Sequence, residues 1–436
     1  MSERQGDQSP PSGRASGRYK SRSASLGFAS TAPKPALPLE HLRQLLSVLR
    51  DHGALSLSAL SQYLGASRSK VDRDVTDLAQ AGFVARTGAA SSSGGRPSRD
   101  IALSSNLRFL RLDIGATSMA AAVTDAYIKP IDFIEESSDV RSGPQPVLEQ
   151  AAGLIAKMTS GYDERLIGIR VGLPGPVRFR DGAPIATPIM PGWDGYPVRD
   201  ALSESLEVPV TVDNDVNIMA LGEQHRDVAR GISDFLFVKI GTGIGSGIIC
   251  RGKIHRGADG CAGDIGHIAV SSSNTLCHCG RLGCLESEFS GVALAAKALS
   301  AAQLDAAPFL AQALIDRGRV TAEDVALGSS TGDATSVGLI REGGELLGQL
   351  LAGLVNFFNP SMIVMGGGLA SFGHPLIAAV RSAIFRRSAP LATSNLSIVR
   401  SQLGAQVGVI GAAFLASEAF LNGSDWVVRC LNKVKV

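Results

Sequence analysis

A two-lobed α/β body behind a small α+β module is the fold class that the sequence predicts, and three observations predict it. Beyond residue 105 the chain twice runs through three apolar strands and then alternating helices and strands, a βββαβαβ pattern in duplicate. Two such halves leave a cleft between lobes. The first 104 residues follow a different, helical rhythm and carry 14 basic against 8 acidic side chains, whereas the remainder carries 28 against 32. The overall charge of +2 therefore hides a basic front on a mildly acidic body. Glycine supplies 50 of the 436 residues without a G-X-Y period, which fits many tight strand-to-loop turns and excludes collagen.

Composition narrows the class further. At about 150 residues per domain the length suggests about three domains. With 44% hydrophobic and 19% charged residues, the bulk is neither disordered nor fibrous. No run of about 18 apolar residues is expected to cross a membrane. Residues 1–38, rich in Ser, Gly, Pro and Arg, read as a disordered basic tail. Arg4, Arg14 and Arg18 are followed by no apolar stretch of signal-peptide length, so a cytoplasmic location is expected.

Residues 39–104 read as a winged helix-turn-helix. Leu42, Leu45, Leu46 and Leu49 give a first helix ending near Gly53. A second spans Ser58–Leu64, capped by Ser58 and stopped by Gly65, and Ser67 caps a third through Val71, Val75 and Leu78 to Gly82. The third helix exposes Arg68, Ser69, Lys70 and Arg73 at the end that enters the major groove in this motif. Strands at Phe83–Arg86 and Asp100–Leu103 flank a loop with Gly94-Gly95-Arg96-Pro97. An Arg stiffened by Pro suits a narrow, electronegative minor groove. The same segment also reads as a plain packing module with solvated charges.

In the body, strands are expected at Leu107–Ile114, Met119–Asp125, Ile131–Ser137, Leu166–Val171 and Val208–Val212, with a helix near Pro146–Thr159. The second half repeats them at Asp234–Ile240, Ser246–Cys250, Lys253–His255, Met362–Met365 and Leu396–Val399, before an Ala-rich closing helix. The lobes are placed at about 107–227 and 228–436.

Three glycine turns fall at matching strand ends. Asp113, Gly115 and Thr117 close the first strand, where a carboxylate and a hydroxyl can hold Mg²⁺ and phosphate oxygens. Gly241, Thr242 and Gly243 open the equivalent turn of the second half, and Gly366-Gly367-Gly368 offers a third flat approach. Together they suit a nucleotide cleft. Asp213-Asn214-Asp215 follows a strand: Asn214 can orient hydroxyls and Asp215 can accept a proton, although Asn or Asp there also caps the next helix. His267, Cys277, Cys279 and Cys284 supply one imidazole and three thiols in H-x9-C-x-C-x4-C spacing. A closed Cys₃His set is a structural zinc site.

These motifs together resemble the ROK family of sugar-responsive repressors and sugar kinases, with an actin/hexokinase-like fold. Gly266-His267 and the run Cys277–Glu286 are similar to its signature. Asp113–Thr117 and Gly241–Gly247 resemble its phosphate motifs, Gly366–Gly368 its adenosine loop, and Gly172–Pro176 with Pro191-Gly192-Trp193 its sugar-cleft segments. The resemblance implies sugar contacts from Asn214, Asp215, Asp264, His267 and Glu286, with Asp215 as catalytic base if a phosphoryl group is transferred. It implies a DNA-binding regulator, usually a repressor, with operator DNA and a sugar or sugar phosphate as partners and a homodimer or homotetramer as assembly. The alternative is an ATP-dependent hexose kinase with a DNA-binding appendage. Departures from the pattern weigh against ATP and Mg²⁺: Ala116 and Ser118 replace the usual Gly and Lys beside Thr117. Asp264 stands for a Glu, and Ile189 stands where Asn is frequent.

Overall fold

The computed structural model describes residues 39–89, 99–160, 165–185, 190–206, 208–270, 273–304, 307–404 and 406–422. Glu40–Val436 forms one compact unit, and of the other, Met1–Leu39, only Leu39 is among the described residues.

Helix α1 (Leu39–His52) buries the four leucines that its period aligns, Leu42, Leu45, Leu46 and Leu49. Helix α2 (Leu57–Leu64) starts one residue earlier than its pattern suggests. Its cap is Ser56 rather than Ser58, because Ser56 has the extended backbone that points its hydroxyl at the Ala59 amide, 3.2 Å away. Gly65, at φ +58°, ends it in the left-handed conformation. Helix α3 (Arg68–Gln80) is capped by Ser67 and buries Val71, Val75 and Leu78. It also buries Asp74, which lies 2.6 Å from His41 Nδ1 of α1. Strands β1 (Val84–Ala89) and β2 (Arg99–Leu103) pair antiparallel, and Leu55 adds a bridge to Ile101. The loop bearing Gly94, Gly95, Arg96 and Pro97 lies outside the described residues.

The first lobe holds β3 (Leu107–Ile114), β4 (Ser118–Thr124), β5 (Pro130–Ser137), α4 (Pro144–Thr159) and β6 (Arg165–Leu173). A short hairpin, β7 (Val177–Arg178) and β8 (Ala183–Pro184), then leads to α5 (Val198–Leu206), β9 (Val210–Asn214) and α6 (Asp215–Arg226). The second holds β10 (Phe235–Ile240), β11 (Ile244–Cys250) and β12 (Lys253–His255), followed by α7 (Leu285–Phe289), α8 (Gly291–Gln303), α9 (Pro308–Arg317), α10 (Ala322–Thr331) and α11 (Ala334–Phe358). It continues through β13 (Met362–Gly366), α12 (His374–Arg387), α13 (Pro390–Thr393) and β14 (Ser397–Arg400) to α14 (Gln406–Asn422).

The sheets run β5-β4-β3-β6-β9 and β12-β11-β10-β13-β14. In each, two antiparallel pairings are followed by two parallel ones, so the sequence duplication is a structural one. The last strand of the first sheet begins two residues later than its pattern suggests and runs through Asn214. Its continuation follows from the pairing of Asp213 with Gly172 and of Asn214 with Leu173 across β6. Of Pro191-Gly192-Trp193, Trp193 builds core: it is fully buried and its indole N–H donates to the Val140 carbonyl at 3.0 Å.

The closing helix reaches the first lobe while Val407, Ala412 and Leu415 share a core with Phe235 and Phe237 of β10. Helix α14 lies against α6, β3 and β6. Two glycines permit the close approach: a Cβ on Gly222 would stand 1.9 Å from the Val407 carbonyl oxygen, and one on Gly411 would stand 1.8 Å from that of Ile218. Backbone rests on backbone here, so α6 and α14 have no side-chain slack between them.

Candidate functional site

Asp113 and Asp215 approach one another at the carboxyl ends of the first sheet. Asp113 sits next to last on β3, and Asp215 is the first residue of α6, where the helix dipole favours a negative charge. Gly172 on β6 lies beside both. A Cβ there would stand 2.8 Å from Asp113 Oδ1 and 3.7 Å from the Asp215 Cα. Each carboxylate already has a cation. The Arg111 guanidinium donates to Asp113, and the Lys239 ammonium, from β10 of the other sheet, donates to Asp215. Burial pushes the Asp113 carboxyl up, against Arg111, and the charge of Asp215 adds to the rise. For Lys239 burial works downward but is outweighed by Asp215 and Asp113, so the ammonium is held charged. Room for Arg111 comes from Gly408 of α14, where a Cβ would collide with the guanidinium.

Asn214 caps α6, one of the two roles expected of it, and also ties in the Gly175 carbonyl. Its Oδ1 accepts from the Val216 and Asn217 amides at 2.9 and 3.2 Å, which caps α6, while Nδ2 donates to the Gly175 carbonyl at 2.8 Å. One amide hydrogen remains for another acceptor. Asp213, fully buried, is a cross-lobe anchor that the sequence did not disclose. Its Oδ2 accepts from Arg170 of β6 at 2.7 Å and from Arg256, which follows β12, at 2.6 and 3.0 Å. Burial takes the Arg170 guanidinium down to about 10. The Phe179 ring lies under Arg256 at 3.9 Å.

The glycine turns are tightly built. Gly241 N–H donates to Gly243 at 2.9 Å, and Glu286 at the start of α7 accepts from the Ile244 amide at 3.0 Å. A Cβ on Gly243 would strike Glu286 Oε2 at 2.4 Å. Thr242 and Thr117 are exposed. Gly115 closes the β3–β4 turn by donating to the Ser118 carbonyl at 2.8 Å. Gly366 and Gly367 are needed for packing on β10: a Cβ would meet the Phe237 ring at 2.3 Å or the Ile240 carbonyl at 2.4 Å. Asp264 is exposed, just ahead of the helical turn Ile265–His267.

The ligand atoms of His267, Cys277, Cys279 and Cys284 lie within 4.8 Å of one another. Nδ1 of His267 is 3.4 Å from Cys277 Sγ, and Cys279 and Cys284 are 3.7 Å apart through sulfur. Gly280 and Gly283, at φ +84° and +68°, supply the left-handed turns that bring the thiols round. Burial pushes the Cys284 thiol up to about 12. Cys279, raised by burial but stabilised by hydrogen bonds from Arg281, comes down to about 6. His278 points outward and is exposed. The donor set, soft thiols with one imidazole, fits a metal ion of the zinc type.

Arg68, Ser69, Lys70 and Arg73 are all exposed on α3. Arg86 of β1 pairs with Asp72 of α3 at 2.5 Å, tying strand to helix. The residues that sequence reasoning missed, Arg111, Arg170 and Lys239, share one signal. Each is a cation with an apolar residue on either side in its strand, and such a charge needs a partner.

A match to the ROK family covers residues 109–419. A glucokinase of Halalkalibacterium halodurans is 31% identical over 314 residues, 71% of this chain and 95% of that one. A xylose repressor of Caldicellulosiruptor bescii is 27% identical over 397 residues, 88% of this chain and 96% of that one. Among solved structures, a ROK family transcriptional regulator described as a homologue of the E. coli MLC protein superposes with a TM-score of 0.77. It is 22% identical and covers 91% of this chain and 99% of its own. Its likeness speaks for the fold alone. Duplicated sheets, interlobe carboxylates and the His–Cys₃ cluster coincide with that match, and this chain belongs to the ROK family.

Proposed function

We propose that this protein is a sugar-responsive DNA-binding transcriptional regulator, a repressor of carbohydrate genes, with a sugar or sugar phosphate bound between the lobes. The observation that carries this reading is the exposed basic start of α3 in a capped helix-turn-helix ahead of the cleft. The alignment with the xylose repressor supports it, since one that covers 88% of this chain takes in α2 and α3. Arg68, Ser69, Lys70 and Arg73 would face the major groove and Arg96 the minor groove. Asn214, Asp215, Asp264, His267 and Glu286 would contact sugar hydroxyls. His267, Cys277, Cys279 and Cys284 would hold zinc, which supplies a structural cross-link beside the cleft and has no open position for chemistry. A homodimer would present two winged modules to two half-sites, so an effector that alters their spacing alters affinity.

The kinase reading has its own support in the 31% identity to a glucokinase. The two separate in one experiment on the full chain. Operator DNA is selected from a random pool, its affinity is measured with and without a panel of hexoses and hexose phosphates, and ATP consumption is followed alongside. Sequence-selective binding that one sugar weakens by about tenfold or more, without turnover, is expected. Robust turnover without selective DNA binding would make the kinase reading primary.

A further inference from the structure

We infer that Lys239 is a specificity-determining residue of the cleft: its ammonium serves Asp215 and Asp113 as a built-in counter-ion, in the place that a divalent cation would take in metal–nucleotide chemistry. The inference stands on the cleft geometry and not on DNA recognition, so failure of operator binding leaves it intact.

Three observations carry it. The first is a charge count. Asp113 and Asp215 face Arg111 and Lys239, two carboxylates with two cations, so the cluster is neutral as it stands. A site for a divalent ion needs surplus negative charge, and this one has none. The second is origin. Lys239 reaches Asp215 from β10, across the cleft from β3 and α6, so the pair joins the two lobes where a bridging ion would sit. The third is the path of the side chain. Its Cε lies 3.6 Å from where a Cβ on Gly241 would be, so the stem runs along the Gly241–Gly243 turn. The Lys239 side chain keeps 26% exposure, which places it at the cleft and not in the core.

The chemistry follows from the hydrogen bonding. One Asp215 oxygen is taken up by the Lys239 ammonium, so it is not free to face a sugar hydroxyl. Asp215 still accepts a hydrogen bond through its other oxygen. Residues in this arrangement do not fit Mg²⁺, and they suit recognition of a sugar without transfer.

Mn²⁺ alone is the probe, titrated into the zinc-loaded full chain and read by the loss of its free-ion resonance signal. The wild type and K239R, which keeps the charge, are expected to show no cleft site tighter than about 1 mM. K239M should gain one site per chain bound about tenfold or more tightly, and K239M/D113N should lose it. K239Q, which keeps an amide donor without the charge, gives the same reading should K239M fail to fold, as judged by zinc retention and a cooperative melt. A wild-type Mn²⁺ site that D113N abolishes would overturn the inference. So would equal Mn²⁺ affinity in wild type and the folded neutral variant.

Discussion

Arg50 of α1 and Glu418 of α14, 368 positions apart in the chain, form an ion pair of 2.7 Å that joins the N-terminal α+β module to the body. The same guanidinium donates to Ser417 at 2.8 Å and lies 4.8 Å above the Phe414 ring, which also stacks on His225 at 3.4 Å. His225 belongs to the last turn of α6, the helix that begins at Asp215. One helix thus spans from the cleft carboxylates to the seat of α1. The glycine contacts of α6 with α14 keep that span stiff.

Arg50→Met should therefore weaken two properties together. Removing a largely buried cation from a half-exposed partner is expected to cost about 1–3 kcal/mol of stability. The sugar-induced change in operator affinity should also shrink, while affinity without sugar changes less. Calorimetric melting and DNA titration check this. An unaltered melt with an unaltered sugar response would remove Arg50 from any coupling role.

Metal content gives a second test. Cys279→Ala should release about one zinc per chain, because three thiolates and an imidazole close the site and the loss of one opens it. His278→Ala should retain the full complement, since that ring lies outside the cluster. Elemental analysis of freshly purified protein decides, and a metal-free wild type would refute the assignment.

On the DNA side, Lys70→Ala and Arg73→Ala should each lower affinity and reduce the salt slope by about one if they meet phosphates. Arg96→Ala should abolish preference for A·T-rich flanks with little effect on the central bases. Equal binding to A·T-rich and G·C-rich flanks by wild type would discard the minor-groove role of the wing.

Glu223 on α6 gives a pH signature. Its side chain is fully buried, and burial, opposed by Ser401 and reinforced by Asp227, pushes the carboxyl up to about 7. Between about pH 4.5 and 7 the folded chain keeps a proton that the unfolded chain has given up, so this group lowers stability as pH rises through that window. Glu223→Gln should melt near the wild type at pH 4.5 and be more stable by about 2 kcal/mol at pH 8. His225, which burial brings down to about 4, lowers stability as pH falls below its unfolded value. It does so in both proteins and cancels in their difference. A difference in melting temperature that does not grow with pH would contradict the assignment.

The sequence by itself determined the local features and the repeat. Four leucines at helical spacing made α1, Ser67 set the start of α3, and Gly65 ended α2. The cysteine spacing, with a histidine ten residues upstream of the first, determined the cluster that could hold a metal ion, because all four side chains sit within one short segment. Duplicated strand patterns determined two sheets of identical order. Boundaries were less legible where a partner decides them: β9 extends to Asn214 because β6 continues to pair with it, and Ser56 displaces Ser58 because its backbone angles aim the hydroxyl. Tertiary structure alone decided which charges meet. Lys239 reads in sequence only as a lysine in an apolar strand. Its partner is fixed when β10 is laid across the cleft from the first turn of α6. Asp213 looked like one more carboxylate before a helix until the fold set two arginines from different lobes on it. Arg50 and Glu418 lie near opposite ends of the chain, so no spacing can announce their contact. Caps, turns and chelates depend on a few consecutive dihedral angles, whereas a buried ion pair depends on where whole elements pack, and that is settled only when the core closes.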